Sequence, residues 1–161
     1  MKFFLIAALA LRVAAVAAPV EKLTDFDLTD QDAKPRVYRF PKAKVTVMTV
    51  ADHKGSDQLA PWIQKLHDRY QNRIDIDGIA DVSMIAKPFQ AMFREAFRKQ
   101  LTRSVMLDWD GAVVKQFGYT KAVANLYVID RQGRIVKQIT GPMTEDGARE
   151  ITREIDRVLA K

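Results

Sequence analysis

The sequence predicts an α/β domain in which a central mixed sheet of about five strands is flanked by helices and preceded by a β extension. Three observations lead there. Short apolar runs rich in Val and Ile alternate along the chain with stretches whose apolar residues recur at helical spacing. Two β-branched runs, Asn125 to Ile129 and Arg134 to Ile139, flank Asp130-Arg131-Gln132-Gly133, whose residue types close a hairpin. Length and composition agree: 161 residues, 48% hydrophobic and 29% charged, suit one domain with an ordinary core, and no repeat or low-complexity tract argues for another.

The first stretch reads as a secretory signal. Lys2 is followed by the apolar run Phe3 to Leu11 and by small residues ending Ala15-Val16-Ala17, a pattern that places cleavage after Ala17 and the domain at 18–161. Arg12 interrupts the run, which weakens the signal pattern. It argues still more strongly against a spanning helix, which needs about 20 apolar residues. The alternative is an N-terminal helix packed on the domain. After removal of 1–17, 24 basic and 20 acidic residues remain, so the formal charge falls from +6 to +4. That mild excess favours loose attraction to anionic partners and does not by itself indicate nucleic acid. The chain has no Cys, so an exported form takes its stability from packing alone, and every thiol mechanism is excluded.

Within the domain, Asp30 to Asp32 reads as a turn with a β segment on each side, the second including Val37 to Phe40. Lys44 to Val50 alternates and then runs apolar, as a strand buried on both faces does. The polar turn Ala51 to Asp57 follows. Leu59, Trp62, Ile63, Leu66 and Tyr70 then mark a helix over about 57–71, with Ser56 or Asp57 as N-cap and Pro61 in the first turn or at a kink. A strand is expected at Ile74 to Ala80. Lys87-Pro88 opens a helix to about Gln100 with an apolar face of Phe89, Met92, Phe93, Ala96 and Phe97 and a basic flank of Lys87, Arg94, Arg98, Lys99 and Arg103. Its Phe residues at i, i+4 and i+8 could form an aromatic binding strip, but core packing is the commoner use of such a stripe. A third strand, Ser104 to Leu107, ends in Asp108-Trp109-Asp110-Gly111, and a short helix spans Val113 to Phe117. The last helix starts at Thr144 and buries Ala148, Ile151, Ile155, Val158 and Leu159, with Glu145 paired to Arg149 on its solvated side.

Several stretches in this order resemble the redoxin type of thioredoxin fold, the group of peroxiredoxins and TlpA-like thiol oxidoreductases. They are Phe26-Asp27-Leu28 to Asp32, Lys44 to Val50, Pro61 to Leu66, Leu107 to Gly111, and Val128 to Val136. Phe93 to Leu107 and Ile129 to Leu159 are further similar to YtfJ-like exported proteins. Carried over residue by residue, the resemblance puts the two redox-cysteine positions near His53 and Ser56 and the cis-proline position near Ala124. Where a peroxiredoxin has its activating Arg, this chain has Lys121 and Ala122. The resemblance therefore implies the fold without its redox chemistry.

In an open α/β sheet, ligands gather where central strands end and helices begin. Asp52, His53, Asp81, Asp108 and Asp110 lie at or just past strand ends and could converge there. Two His residues, His53 and His67, make a thin metal site, and no cofactor is expected. Two functions stay open. One is binding of an unidentified protein, peptide or small anion through Asp52, His53, Lys54, Ser56, Tyr119, Lys121 and Asn125. The other is a thiol-independent enzyme in which Asp52 orients His53 towards Ser56. Purely structural roles compete with both, since Asp52 and Asp57 are natural caps and 108–111 reads as a turn.

Overall fold

The structure, a computed structural model, describes residues 21–161; the expected signal segment lies outside them. Its sheet has seven strands: β1 (Phe26–Asp30), β2 (Pro35–Tyr38), β3 (Thr46–Ala51), β4 (Asp75–Asp81), β5 (Met106–Asp108), β6 (Asn125–Ile129) and β7 (Ile135–Thr140). They lie in the order β2-β1-β5-β4-β3-β6-β7. The expected count of about five is corrected to seven because the N-terminal extension does not stand apart. Its hairpin pairs antiparallel with β5 through Thr29 and Asp30 and continues the sheet. Asp30 fixes that junction: one carboxylate oxygen accepts from the N–H groups of Asp32 and Lys34, and the other accepts from the Ser104 hydroxyl at 2.8 Å.

β3, β4 and β5 are parallel and central, while β6 and β7 add antiparallel at the far side. All six residues of β3 are buried, as expected for a strand covered on both faces. Its alternation divides the core. Val45 and Val47, with Leu126 and Val128 of β6, face Trp62, Leu66 and Tyr70 of α2 (Leu59–Tyr70) and Ile151, Ile155 and Val158 of α5 (Glu145–Leu159). Met48 and Val50, with Tyr127 and Ile129, face Val113, Val114 and Phe117 of α4 (Ala112–Phe117), beside Phe26 and Tyr38 from the hairpin. Two anchors tie the first layer: the Trp62 indole donates to the Gly141 carbonyl at 3.0 Å, and the Tyr70 hydroxyl meets Thr152 and Asp156.

The single helix expected over 57–71 is divided. A four-residue helix, α1 (His53–Ser56), comes first, capped by Asp52 and not by Ser56 or Asp57; α2 then begins at Leu59, with Pro61 in its first turn. The break places Gly55 against the loop before β6, where an added Cβ would come within 2.3 Å of the Val123 carbonyl oxygen. At α5 the expected Thr144 cap is present, accepting from the Gly147 N–H at 3.0 Å, while Arg149 pairs with Asp146 in place of Glu145.

The larger correction concerns α3 (Gln90–Gln100), which joins β4 to β5. None of its residues is buried, and Phe89, Met92 and Phe93 are 54%, 62% and 39% exposed. Of the expected apolar face only Phe97 is half-buried, and the side chain that ties the helix to the sheet is Arg94. The guanidinium donates to the Asp30 carbonyl at 2.8 Å and lies over the Trp109 ring, 5.6 Å from its centroid. Core packing was the expected fate of that stripe. It fails for Phe89, Met92 and Phe93 because the half-buried arc is centred on Gln90, Phe97 and Arg94, and Arg94 lies about 100° or more around the helix from those three.

Candidate functional site

Each of the three parallel strands delivers an aspartate to the same edge of the sheet: Asp52 directly after β3, Asp81 closing β4 and Asp108 closing β5. Asp81 and Asp108 are register partners. β3 and β5 run almost directly into helices, so Asp52 and Asp108 meet backbone N–H groups at helix starts, whereas Asp81 meets the N–H of the turn at Ser83.

Asp52 joins two segments far apart in sequence. One oxygen accepts from the Gly55 N–H at 2.9 Å and caps α1, and the other accepts from the Ala122 N–H at 2.9 Å. Gln58 adds a second tie by accepting from the Ala124 N–H at 3.1 Å. Asn125 is fully buried and completes the lock: its carbonyl oxygen accepts from the Thr120 N–H, and its amide donates to the Thr120 and Val123 carbonyls. The backbone of 120–124 is thus held by side chains of this chain, and Ala122 can keep its left-handed φ of 63°. His53, Lys54 and Ser56 are exposed on α1. The Ser56 hydroxyl donates to the His53 backbone carbonyl at 2.7 Å, so the pair is joined through the main chain and not through the imidazole.

Asp81 sits beside this locked loop. One oxygen accepts from the Ser83 N–H at 3.1 Å and the Ser83 hydroxyl at 2.6 Å, while the other accepts from the Tyr119 hydroxyl. Burial opposes ionisation, but these hydrogen bonds and the nearby Lys121 ammonium prevail and hold Asp81 below the usual carboxylate range. Burial and the Asp81 charge push Tyr119 upward, so its hydroxyl remains a donor. Asp108 is fully buried and accepts from the Gly111 and Val114 N–H groups at 3.1 and 2.8 Å, which starts α4. Burial, reinforced by the Asp110 carboxylate and opposed by the Val114 N–H, raises its pKa.

Between these groups lies a cleft of about 370 Å³ lined by Asp81, Ser83, Asp110, Lys115, Tyr119 and Lys121 among others. Two carboxylates and two ammonium groups leave it close to neutral overall. A larger hollow of about 610 Å³ is lined by His67, Asp68, Gln71 and Asn72, all from one turn at the end of α2. It lacks an opposing wall from another element, so the smaller cleft is the better-built site. Among the described residues no group of three or more His, Asp or Glu side chains is arranged to hold a metal ion.

The strand-end carboxylates do gather along one edge, as expected from the sequence. Of the seven candidate binding residues, Tyr119 and Lys121 line the cleft, Asp52 and Asn125 build the loop beside it, and His53, Lys54 and Ser56 face solvent on α1. Ser83, Lys115 and Gln58 were not anticipated. Ser83 had a signal in its spacing two residues after Asp81, the geometry of an Asx turn; Gln58 and Lys115 had none.

No family model matches the sequence, and no curated protein matches it either. Solved structures do match. The exposed lipoprotein thioredoxin of Streptococcus pneumoniae superimposes with a TM-score of 0.65 at 18% identity, over 81% of this chain and 99% of the other. The fold is thioredoxin-like. StoA from Bacillus subtilis matches with a TM-score of 0.61 at 16% identity over 80% and 96% of the two chains. A thiol:disulfide interchange protein of the thioredoxin family from Chlorobium tepidum gives 0.59 at 17% over 88% and 98%. This chain has that fold and no cysteine. Among the described residues the one cis peptide bond, Phe40–Pro41, lies outside the Ala124 position where the thioredoxin resemblance expects one.

Proposed function

We propose that this chain is an exported, redox-inactive member of the redoxin type, akin to the YtfJ-like proteins, that works by holding a peptide or protein segment. Its site is the cleft between Asp81, Asp110, Lys115 and Lys121. The observation that carries this reading is the charge balance of that cleft beside a loop already locked in place. A peptide brings amides and charges of both signs, and such a ligand suits two carboxylates facing two ammonium groups. Because the N–H groups of Thr120, Ala122 and Ala124 are held by Asn125, Asp52 and Gln58, recognition falls to the cleft's side chains more than to strand-like pairing along the loop. Export is supported by the Lys2 to Ala17 pattern.

The test is a screen of immobilised extended peptides, followed by titration of the best peptide into isotopically labelled protein. Amide shifts should cluster at 81–83, 110–111 and 118–122, and Lys121→Glu should weaken binding about tenfold or more. Shifts that avoid these segments, or an unchanged affinity in Lys121→Glu, would place the site elsewhere.

A further inference from the structure

The exposed face of α3 and the charge around it are one feature. Lys87, Arg94, Arg98, Lys99 and Arg103 stand against the single Glu95 between residues 82 and 103, a surplus of four positive charges. This equals the entire +4 of residues 18–161, so the remainder of that domain is balanced. Glu95 is paired with Arg98 and Lys99, and among the described residues no carboxylate lies within ion-pair distance of Lys87 or Arg103. On the same helix, Phe89, Met92 and Phe93 face solvent, and Met84 in the preceding turn is 86% exposed. Arg94 holds the opposite side of the helix to the sheet edge, so the apolar arc points away from the protein.

We propose that α3 docks this protein on an anionic lipid bilayer surface, with Phe89, Met92 and Phe93 entering the interface, Lys99 beside them, and Lys87 and Arg103 before and after the helix reaching the headgroups. Charge complementarity fixes the sign of the partner. The size and shape of the surface favour lipid. Eleven residues make a ridge about 16 Å long and about 10 Å across, far short of the roughly 800 Å² per partner of a stable protein interface. A convex aromatic ridge with cations at one side and near its two ends is instead the arrangement that lies in a membrane interface, where long basic side chains extend to the phosphates. The inference does not depend on the cleft, which lies at the strand-end edge and takes a different ligand.

An indole placed on the exposed arc supplies the probe. Trp109 packs under Arg94 on the protein side of α3 and Trp62 is buried in the other layer, so neither indole reaches the lipid. The full chain is mixed with vesicles of brominated phosphatidylcholine in which phosphatidylglycerol makes up about a third of the lipid. In Met92→Trp, which puts an indole on the exposed arc, fluorescence should be quenched on these vesicles, and the quenching should be absent from the unsubstituted chain. It should weaken with added salt and be nearly lost on phosphatidylcholine alone. Phe89→Ser with Phe93→Ser should lower the affinity at least tenfold. Lys87→Gln with Lys99→Gln should lower it by roughly 25-fold. Unchanged melting temperatures would show that the variants remain folded. No quenching at low salt, or quenching that neither pair of substitutions alters, overturns the proposal. So does a concentration-dependent dimer abolished by the Phe substitutions without vesicle binding, which would make a second copy the occupant.

Discussion

α5 and α3 are both amphipathic, yet they meet opposite fates. α5 buries Ala148, Ile151, Ile155 and Val158 against β3, β6 and α2, whereas α3 buries nothing and turns Phe89, Met92 and Phe93 to solvent. The difference lies in what the sheet offers each helix. Beneath α5 the central strands present Val47, Leu126 and Val128. At the seam between β1 and β5, α3 meets the Asp30 carbonyl, the Thr29 hydroxyl and the Trp109 face, groups that suit a guanidinium. Helical period shows that a stripe exists, and only the surface opposite decides whether it is covered.

The sharpest way to break the comparison is to truncate one aromatic in each layer. Trp62→Ala removes a side chain that is 1% exposed and the hydrogen bond to Gly141, and should destabilise by about 3–5 kcal/mol in urea unfolding. A comparable loss from Phe93→Ala would show that α3 is packed after all. The strand-end edge comes next. Asp108→Ala leaves the Gly111 and Val114 N–H groups without an acceptor in a buried position, at a cost of about 2–3 kcal/mol. The same residue has a pH signature. Its folded pKa is raised by burial above the ordinary 3.8, so between those two values the folded chain binds the proton more readily than the unfolded chain. Its contribution to stability therefore declines as pH rises through that window. Melting temperature followed across the acidic range should lose this component in Asp108→Asn.

The central fold was legible because it rests on local patterns: the alternation of β3, the Asp130 to Gly133 turn and the Thr144 cap all appear where residue types require them. The joining of the β1–β2 hairpin to the sheet and the break after Ser56 were harder to read because both depend on partners distant in sequence. Asp30 must meet Ser104 to bring the hairpin onto β5, and Gly55 must meet Val123 for α1 to end where it does. At the strand-end edge, the gathering of Asp52, Asp81 and Asp108 followed from strand order alone. Their hydrogen-bond partners did not, since Ala122, Tyr119 and Val114 reach them only through the tertiary fold.

Asp52 links a local role to a distant one, and its substitution separates them. Asp52→Ala removes both the α1 cap and the acceptor for Ala122, and should cost about 1–2 kcal/mol. Asp52→Ser should recover the cap and part of that loss, because a serine hydroxyl can accept from the Gly55 N–H. It is too short to hold Ala122 as well. Hydrogen exchange at Ala122 should then stay fast in both variants while Gly55 is protected again only in Asp52→Ser.

The smallest effect is also the most discriminating for α3. Phe89 is 54% exposed and belongs to neither core layer, so Phe89→Ser should change stability by no more than about 0.5 kcal/mol. A large apolar side chain that can be removed without loss of stability is not held there by folding. If Phe89→Ser instead lowers the unfolding midpoint by as much as a core truncation, the helix must close onto the protein in solution. The exposed ridge would then be an internal surface, and the contrast with α5 would disappear.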